Sequence, residues 1–155
     1  MLRFGLVIGG AVVVIDQLVK WWIIDWLAEP PGFVAVLPFF NLVMVWNRGV
    51  SFGLLSDADL APYLMAGIAG SVVIGLVIWL ARVAQRLLAV SIGLIIGGAL
   101  GNIVDRLRLG AVADFVDLHA GGYHWPAFNV ADAAITVGVA VMLIDGLLNR
   151  RGEPK

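Results

Sequence analysis

Several charged residues of this sequence lie inside long apolar stretches, where a charge is costly. Asp16 and Lys20 interrupt the first stretch, and Asp132 lies near the start of the last one. Ionisable side chains in such surroundings usually pair with one another or take part in function. Asp16 and Lys20 form a favourable helical pair four residues apart, so a structural role is equally open for them. Asp132 is harder to explain in this way, because no basic residue lies within one helical turn of it.

Paired carboxylates are the chemistry that best suits these residues. Two close aspartates cannot both ionise easily, so they share one proton. One carboxylate then acts as a base towards a water molecule, while the protonated one polarises a carbonyl group. Asp114 and Asp117 lie in the alternating segment Val112-Ala-Asp-Phe-Val-Asp117, although a solvated loop would also explain them. A pair of carboxylates that shares one proton is the arrangement of the aspartic proteases, and it requires neither a metal ion nor a cofactor.

Other catalytic arrangements have weaker support. The sequence has no cysteine, which excludes disulfides, thiolate metal sites and a cysteine nucleophile. His119 and His124 lie in a glycine-rich segment, and Ser51 has no obvious base, although a dyad of Ser51 with Lys20 is conceivable. A zinc site formed by His119, His124 and Asp117 matches no helical ligand spacing.

The composition predicts that these residues belong to a membrane protein. Of the 155 residues, 61% are hydrophobic and only 14% are charged, and the mean hydropathy is +0.99. The net charge of −1 leaves no basic field for nucleic acid. Four segments contain the roughly 20 mostly apolar residues that a span requires, namely residues 4–22, 61–81, 87–104 and 128–148. They predict a single integral-membrane domain over residues 1–155.

Basic residues predict the orientation of these spans. With four alternating spans, Arg3, Arg82, Arg86, Arg150, Arg151 and Lys155 fall on one side, and Arg48, Arg106 and Arg108 fall on the other. By the positive-inside rule, both termini are then cytoplasmic, and the segments 26–60 and 105–127 face outwards. The first span could also be a cleaved signal peptide, but bulky tryptophans rather than a small-residue cleavage site follow it.

The polar residues of three spans are predicted to lie at one level near the outer interface. At about 1.5 Å per residue, Asp16 lies roughly 18 Å along the first span and Lys20 roughly 24 Å. The third and fourth spans contribute Asn102, Asp105, Arg106, Asn129 and Asp132 at the same level. Such residues can also mark an ion or proton pathway, so a small transporter is the alternative interpretation. A transporter would need polar groups across the whole bilayer, whereas Asp145 is the only acid deep on the other side.

Two further patterns predict how the chain is built around these residues. Small residues spaced by four predict close helix packing in lipid, with Gly93, Gly97 and Gly101 in the third span and Gly67, Ser71 and Gly75 in the second. The segment 33–46 is rich in Phe, Val, Leu and Trp, which predicts short strands. The expected fold is a bundle of four transmembrane helices with a small β element on its outer face.

Five sequence blocks contain most of these polar residues. They are Asp16-Gln-Leu-Val-Lys20, Asn47-Arg-Gly-Val-Ser-Phe-Gly53, Gly97-Gly-Ala-Leu-Gly-Asn-Ile-Val-Asp-Arg106, Val112-Ala-Asp-Phe-Val-Asp117 and Phe128-Asn-Val-Ala-Asp132. Taken together and in this order, the blocks resemble those of the lipoprotein signal peptidases, or signal peptidase II, which are bacterial intramembrane aspartyl proteases. One block alone is only moderately specific, whereas all five in order are highly specific.

The resemblance implies an activity and a set of site residues. Members of this family remove the signal peptide from diacylglyceryl-modified prolipoproteins, cutting just before the lipidated cysteine. Asp114 and Asp132 match the catalytic pair of the family. Asn102, Arg106 and Asn129 match residues that position the substrate. Asn47 and Gly49 match substrate-binding or supporting positions, and Asp16, Lys20 and Asp105 match supporting positions.

The resemblance also implies the surroundings of the site. The implied fold is an all-α membrane protein, with four transmembrane helices, a small β-sheet cradle and a short helix on the outer face. The expected partners are the lipidated prolipoprotein and membrane lipid, with no nucleic acid, metal or cofactor. The protein is expected to be a monomer in the bacterial cytoplasmic (inner) membrane, with its active site near the outer leaflet interface.

Overall fold

The computed structural model describes residues 1–27, 32–49 and 60–149. In chain order, these residues form α1 (Leu2–Leu27), β1 (Phe33–Leu37), β2 (Phe40–Asn47), α2 (Ala61–Leu80), α3 (Arg86–Leu109), β3 (Val112–Ala120), β4 (Tyr123–His124) and α4 (Val130–Asn149). All four helices are long and apolar enough to span a membrane, which confirms the four predicted spans. The short outer helix implied by the family resemblance is not among the described residues.

Two of the helices are longer than the sequence pattern predicts. α1 continues past residue 22 to Leu27, and α3 continues past residue 104 to Leu109. The added turn of α1 carries Trp26, whose ring stacks on that of Trp22 with the centroids 5.6 Å apart. Both tryptophans are exposed, as is typical of aromatic side chains at the boundary between lipid and water.

α3 is the central helix of the bundle. It packs against α1, α2 and α4, and half of the residues in its most apolar 18-residue stretch are buried within the protein. A Cβ atom on Gly93 would lie 2.5 Å from the carbonyl oxygen of Gly5, and one on Gly97 would lie 2.5 Å from that of Gly9. α1 and α3 therefore meet at backbone contact, which the spacing of the α3 glycines predicts.

The small residues of α2 do not pack in this way. Within the described part of the chain, no atom of another element lies within 4 Å of the position that a Cβ would take on Gly67 or Gly75. Ser71 donates its hydroxyl hydrogen bond to the carbonyl of Gly67 in the same helix. The packing prediction is therefore wrong for α2, because the spacing identifies a face of small residues but not what that face meets.

The four strands form one antiparallel sheet in the order β1-β2-β3-β4. β1 and β2 confirm the strands predicted in the segment 33–46. On β3, Asp114 lies opposite Val45 of β2, and Asp117 lies opposite Asn41. Because the side chains of a strand alternate between its two faces, Asp114 and Asp117 are directed to opposite faces of the sheet.

An apolar cluster attaches the sheet to the helix bundle. Phe115 of β3 is buried together with Ile23 and Leu27 at the end of α1. The side chain that precedes it on β3 belongs to Asp114, which therefore points away from this cluster and towards α4. The packing of Phe115 in this way fixes the position of an acidic residue beside the bundle.

Candidate active site

The start of α4 is capped by two site residues that hold each other. The side-chain oxygen of Asn129 accepts a hydrogen bond from the backbone N–H of Asp132 at 3.0 Å. The Asp132 carboxylate accepts in return from the backbone N–H of Asn129 at 3.3 Å. This is the reciprocal pattern of a capping box, built here from Asn and Asp. It places the Asp132 carboxylate at the first turn of the helix in a defined orientation.

Asp114 approaches the same place from the sheet. Its two carboxylate oxygens accept hydrogen bonds from the side-chain amides of Asn129 at 2.7 Å and Asn47 at 3.0 Å. The residue is only 2% exposed. Burial raises the pKa of Asp114 to about 6, and the negative charge of Asp132 adds to the increase, while the hydrogen bonds from the two amides partly oppose it.

Two amide side chains connect the two carboxylates. Asn129 donates to Asp114 and also to the side-chain oxygen of Asn102 at 3.2 Å. Asn102 in turn donates to Asp132 at 2.7 Å. Each carboxylate thus accepts from one of these two amides, and the two amides are hydrogen-bonded to each other. This hydrogen-bonded series runs from Asp114 through Asn129 and Asn102 to Asp132. Asp114 belongs to β3, Asn102 to α3 and Asp132 to α4, and Asn129 directly precedes α4.

A buried ion cluster lies behind Asn102. The ammonium group of Lys20 lies 2.9 Å from Asp16 and 2.7 Å from Asp105, and it donates to the side-chain oxygen of Asn102 at 3.1 Å. These three acceptors satisfy all three donors of the lysine. Lys20, Asp16 and Asp105 are each no more than 2% exposed, and a buried charge is tolerated only when it is paired in this way.

Asp16 also connects α1 to the start of α4. Its carboxylate accepts a hydrogen bond from the backbone N–H of Ala131 at 2.9 Å. That N–H belongs to the first turn of α4 and has no partner within its own helix. Gly101 leaves room for this carboxylate, because a Cβ atom there would lie 2.5 Å from an Asp16 oxygen. The supporting residues therefore position the helix that carries Asp132.

Gln17 belongs to this cluster, although it is not among the site residues predicted from the sequence. Its amide nitrogen donates to Asp105 at 2.8 Å, to Asp16 at 3.2 Å and to the carbonyl of Gly101 at 3.3 Å. It therefore bridges the two acids that flank Lys20. The available signal was the position of Gln17, which is a polar residue inside an apolar span and lies next to Asp16.

Asp114 and Asp132 line the same cavity of about 520 Å³. Asn47 and Thr136 are its other polar lining residues. The apolar lining consists of Trp125, Pro126, Ala127, Phe128, Ala133 and Val137. Ala133, Thr136 and Val137 follow Asp132 on one face of α4, so an apolar wall runs from the carboxylates along the transmembrane helix.

Asn47 and Gly49 form one unit beside the cavity. Gly49 has a φ of +97°, a conformation that side chains other than glycine rarely adopt. This conformation directs its backbone N–H to the side-chain oxygen of Asn47 at 2.9 Å. The amide nitrogen of Asn47 then faces Asp114. Gly49 therefore acts on the site through the orientation of Asn47 and does not line the cavity.

Arg106 lies next to the network without lining this cavity. It donates one hydrogen bond to the backbone carbonyl of Asn102 at 3.3 Å. Its Nε atom is buried, and it has no hydrogen-bond partner among the described residues. An unpaired buried donor is costly.

Asp117 and the two histidines form a separate group on the sheet. Asp117 accepts from Asn41 and from His124, both at 2.8 Å, and these two contacts hold its pKa below the ordinary value, the hydrogen bond from Asn41 contributing most. The ring of His119 stacks on that of His124. No set of three residues in the described segments could hold a metal ion. Ser51, the candidate nucleophile, lies outside the described residues.

Comparisons with known proteins agree on one family. The family model described as signal peptidase (SPase) II matches residues 7–148. The lipoprotein signal peptidase of Methylorubrum extorquens (strain PA1) is 47% identical over 94% of this chain and 86% of its own. That of Rhodopseudomonas palustris (strain ATCC BAA-98 / CGA009) is 45% identical over 94% and 93%. A bacterial membrane enzyme structure obtained by the in meso method at 2.3 Å resolution matches with a TM-score of 0.81 and 33% identity, over 97% of this chain and 92% of that one.

Proposed function

The chain belongs to the signal peptidase II family, and on this basis we propose that it is an intramembrane aspartyl endopeptidase acting on diacylglyceryl-modified prolipoproteins. One observation carries the proposal: Asp114 and Asp132, from a strand and a helix, line one cavity. Among the described residues, neither carboxylate forms a salt bridge with a basic side chain. They are therefore free to share a proton with each other, as in an aspartyl dyad.

The dyad would cleave the peptide bond with one water molecule. The pair shares one proton, and the protonated carboxyl group donates it in a hydrogen bond to the scissile carbonyl oxygen. The raised pKa of Asp114, about 6, favours this residue as the carrier of the proton. Asp132 removes a proton from the water, whose oxygen attacks the carbonyl carbon. The tetrahedral intermediate then breaks at the carbon–nitrogen bond, and the nitrogen takes up a proton. One product gains the hydroxyl group and the other gains the hydrogen.

The hydrogen-bond network prepares the dyad for this role. Asn129 and Asn102 each direct an N–H group at one carboxylate, so the two acids are held without a mobile counter-ion. An arrangement that is fixed before the substrate binds requires little reorganisation during the reaction. Asn47 adds a third amide on the side of Asp114.

The cavity suits a substrate that is partly peptide and partly lipid. Its polar end contains the two carboxylates, and its apolar wall follows α4 through Ala133 and Val137. A signal peptide can lie along this wall while its acyl chains remain in the bilayer. The cut is then placed just before the lipidated cysteine. The buried Nε of Arg106 is a suitable donor for a backbone carbonyl of the peptide.

The position in the membrane follows from the basic residues. Arg3, Arg82 and Arg86 lie at one end of the bundle, with Arg150, Arg151 and Lys155 following α4 in the sequence, so we place this end and both termini in the cytoplasm. The protein is then a monomeric single-domain enzyme of the bacterial cytoplasmic membrane, with the dyad near the outer interface. A cysteine at His119 should react with a membrane-impermeant thiol reagent in intact cells, whereas one at Arg82 should not. The reverse pattern would invert this topology.

A cleavage assay tests the proposed activity directly. The purified protein is incubated, in the presence of a metal chelator, with a diacylglyceryl-modified precursor peptide and with the same peptide lacking the lipid. The lipidated peptide should be cut once, before the modified cysteine, and at least about tenfold faster than its control, equivalent to roughly 1.4 kcal/mol. Cleavage that depends on an added metal, or ion flux in proteoliposomes without cleavage, would contradict the proposal.

A further inference from the structure

A second cavity lies at the end of the bundle far from Asp114 and Asp132. Arg3 precedes Lys20 in α1, and Arg86 precedes Asn102 in α3, by a similar length of helix. At 1.5 Å per residue, each arginine lies roughly 25 Å from the buried ion cluster. This distance is close to the thickness of the hydrocarbon core, which is about 30 Å. The two arginines therefore lie at the opposite membrane surface.

The cavity has a volume of about 540 Å³, and two arginines from separate helices line it. Arg3 comes from the first turn of α1 and Arg86 from the first turn of α3, with Met1, Leu2 and Phe4 completing the lining. The positive-inside rule accounts for basic residues on one side of a membrane protein. It does not require that two of them, distant in sequence, line one cavity.

Backbone packing is the reason that the two arginines converge. The contact between Gly5 and Gly93 holds the starts of α1 and α3 together. Two guanidinium groups at one opening repel each other unless an anion lies between them. Neither helix has an acidic residue in its first turn. Within the described residues, no carboxylate forms a salt bridge with Arg3 or Arg86.

We propose that this cavity binds the headgroup of an anionic phospholipid from the adjacent leaflet. A phosphodiester presents oxygens in the geometry that an arginine fork recognises, and two arginines can hold it from both sides. Basic pockets between transmembrane helices are suited to such headgroups. Phe4 lines the cavity and is exposed, and Leu6 and Leu87, close to the two arginines in sequence, are exposed as well, so the acyl chains find an apolar surface where the headgroup is held. This site is independent of the proposed catalytic function.

A lipid titration with matched variants tests the site. The delipidated full-length protein in detergent is titrated with dioleoyl phosphatidylglycerol, dioleoyl phosphatidylcholine or inorganic phosphate, and lipid adducts are counted by native mass spectrometry. We expect one saturable phosphatidylglycerol molecule, bound at least about fivefold more tightly than phosphatidylcholine. Arg3→Gln and Arg86→Gln should each weaken this binding at least about fivefold. Arg82→Gln is the control, because Arg82 is exposed at the same membrane surface but does not line the cavity, and it should change binding less than about twofold.

Three outcomes would overturn the proposal. Equal affinity for the two lipids would remove the role of the headgroup charge. An effect of Arg82→Gln as large as that of Arg3→Gln would indicate a diffuse positive surface with no defined site. Competition by inorganic phosphate at concentrations near those of the lipid would mean that a soluble anion, and not a phospholipid, is the ligand.

Discussion

Lys20 donates a hydrogen bond to the side-chain oxygen of Asn102 at 3.1 Å, and this bond turns the amide nitrogen of Asn102 towards Asp132. The same oxygen also accepts from Asn129. Rotating the amide by 180° would place its N–H₂ group against two donors, so only one orientation is compatible with the network. A buried lysine of α1 therefore determines how an amide of α3 contacts a carboxylate of α4.

This relationship predicts a coupled loss on removal of the lysine. Lys20→Met leaves the carboxylates of Asp16 and Asp105 buried without a cationic partner, which should destabilise the protein by about 3–5 kcal/mol. Adding Asp105→Asn removes one of these charges, so the double variant should be less destabilised than the sum of the single variants by about 1–3 kcal/mol. Unfolding in detergent measures both. Strictly additive losses would mean that Lys20 and Asp105 do not stabilise each other.

The glycine contacts predict opposite effects for two substitutions in similar helices. Gly97→Ala would place a Cβ 2.5 Å from the carbonyl oxygen of Gly9, forcing α1 and α3 apart at a cost of about 1–3 kcal/mol. Gly70→Ala is the matched control, because none of the described residues has an atom within 4 Å of the added Cβ. It should be neutral or stabilising by up to about 1 kcal/mol, as alanine favours helix. Equal melting temperatures for both variants would contradict the close contact.

The sequence predicts the spans well and their contacts poorly, and the reason is physical. Long apolar runs determine which segments can cross a bilayer, so the four helices could be predicted from composition alone. The spacing of Gly93 and Gly97 predicts a close contact that exists, and the same spacing at Gly67 and Gly75 predicts one that is absent between described elements. Spacing describes one helix surface, whereas a contact depends on two.

The site could be predicted only as far as its residue types. Asp114 and Asp132 are identified by their motifs, and the structure brings them to one cavity. The orientation of the Asn102 and Asn129 amides could not be predicted, because it depends on hydrogen bonds between residues far apart in sequence, such as that of Lys20 with Asn102. Gln17 was missed for the same reason, since its three acceptors belong to two helices.

Arg106 is expected to bind substrate through its guanidinium geometry. Its buried Nε has no partner among the described residues, and lysine would keep the charge but lose the planar donor group. Arg106→Lys should therefore lower kcat/KM at least about tenfold, roughly 1.4 kcal/mol. Arg108→Lys is the control, because Arg108 is exposed, and among the described residues its one side-chain hydrogen bond is to Gln17 at 3.5 Å. Similar kinetics for both variants would make Arg106 an ordinary interfacial charge.

The raised pKa of Asp114 predicts how stability depends on pH. Its pKa is about 6 in the folded protein and about 3.9 in an unfolded chain. The folded protein therefore binds more protons between these values, and this part of its stability is fully present below about pH 4 and is lost as the pH rises through about 6. The loss is roughly 3 kcal/mol.

Asp114→Asn should remove this pH dependence. The new amide meets two amide donors, which costs about 1–3 kcal/mol at every pH, so the measurement is the change in melting temperature between pH 4.5 and pH 7.5. Over this range the wild type should lose stability relative to the variant. Asp117→Asn should leave the change between pH 4.5 and pH 7.5 as in the wild type, because the lowered pKa of Asp117 contributes stability that is lost only as the pH falls below about 4. A parallel pH profile for wild type and Asp114→Asn would contradict the burial effect.

Substitution of the dyad is the most direct test of the mechanism. Asn has nearly the shape of Asp but cannot exchange the proton that a shared dyad requires. Asp114→Asn and Asp132→Asn should each reduce cleavage of a lipidated precursor by roughly 10³-fold or more, while the protein still inserts and purifies. The double variant should be no worse than either single variant, because the two carboxylates act as a unit.

Asp117→Asn is the internal control, since Asp117 contacts Asn41 and His124 on the other face of β3, and it should retain substantial activity. Loss of cleavage in Asp117→Asn with activity retained in Asp114→Asn would mean that the dyad is misassigned. Unchanged cleavage in all three variants would mean that the enzyme is not an aspartyl protease.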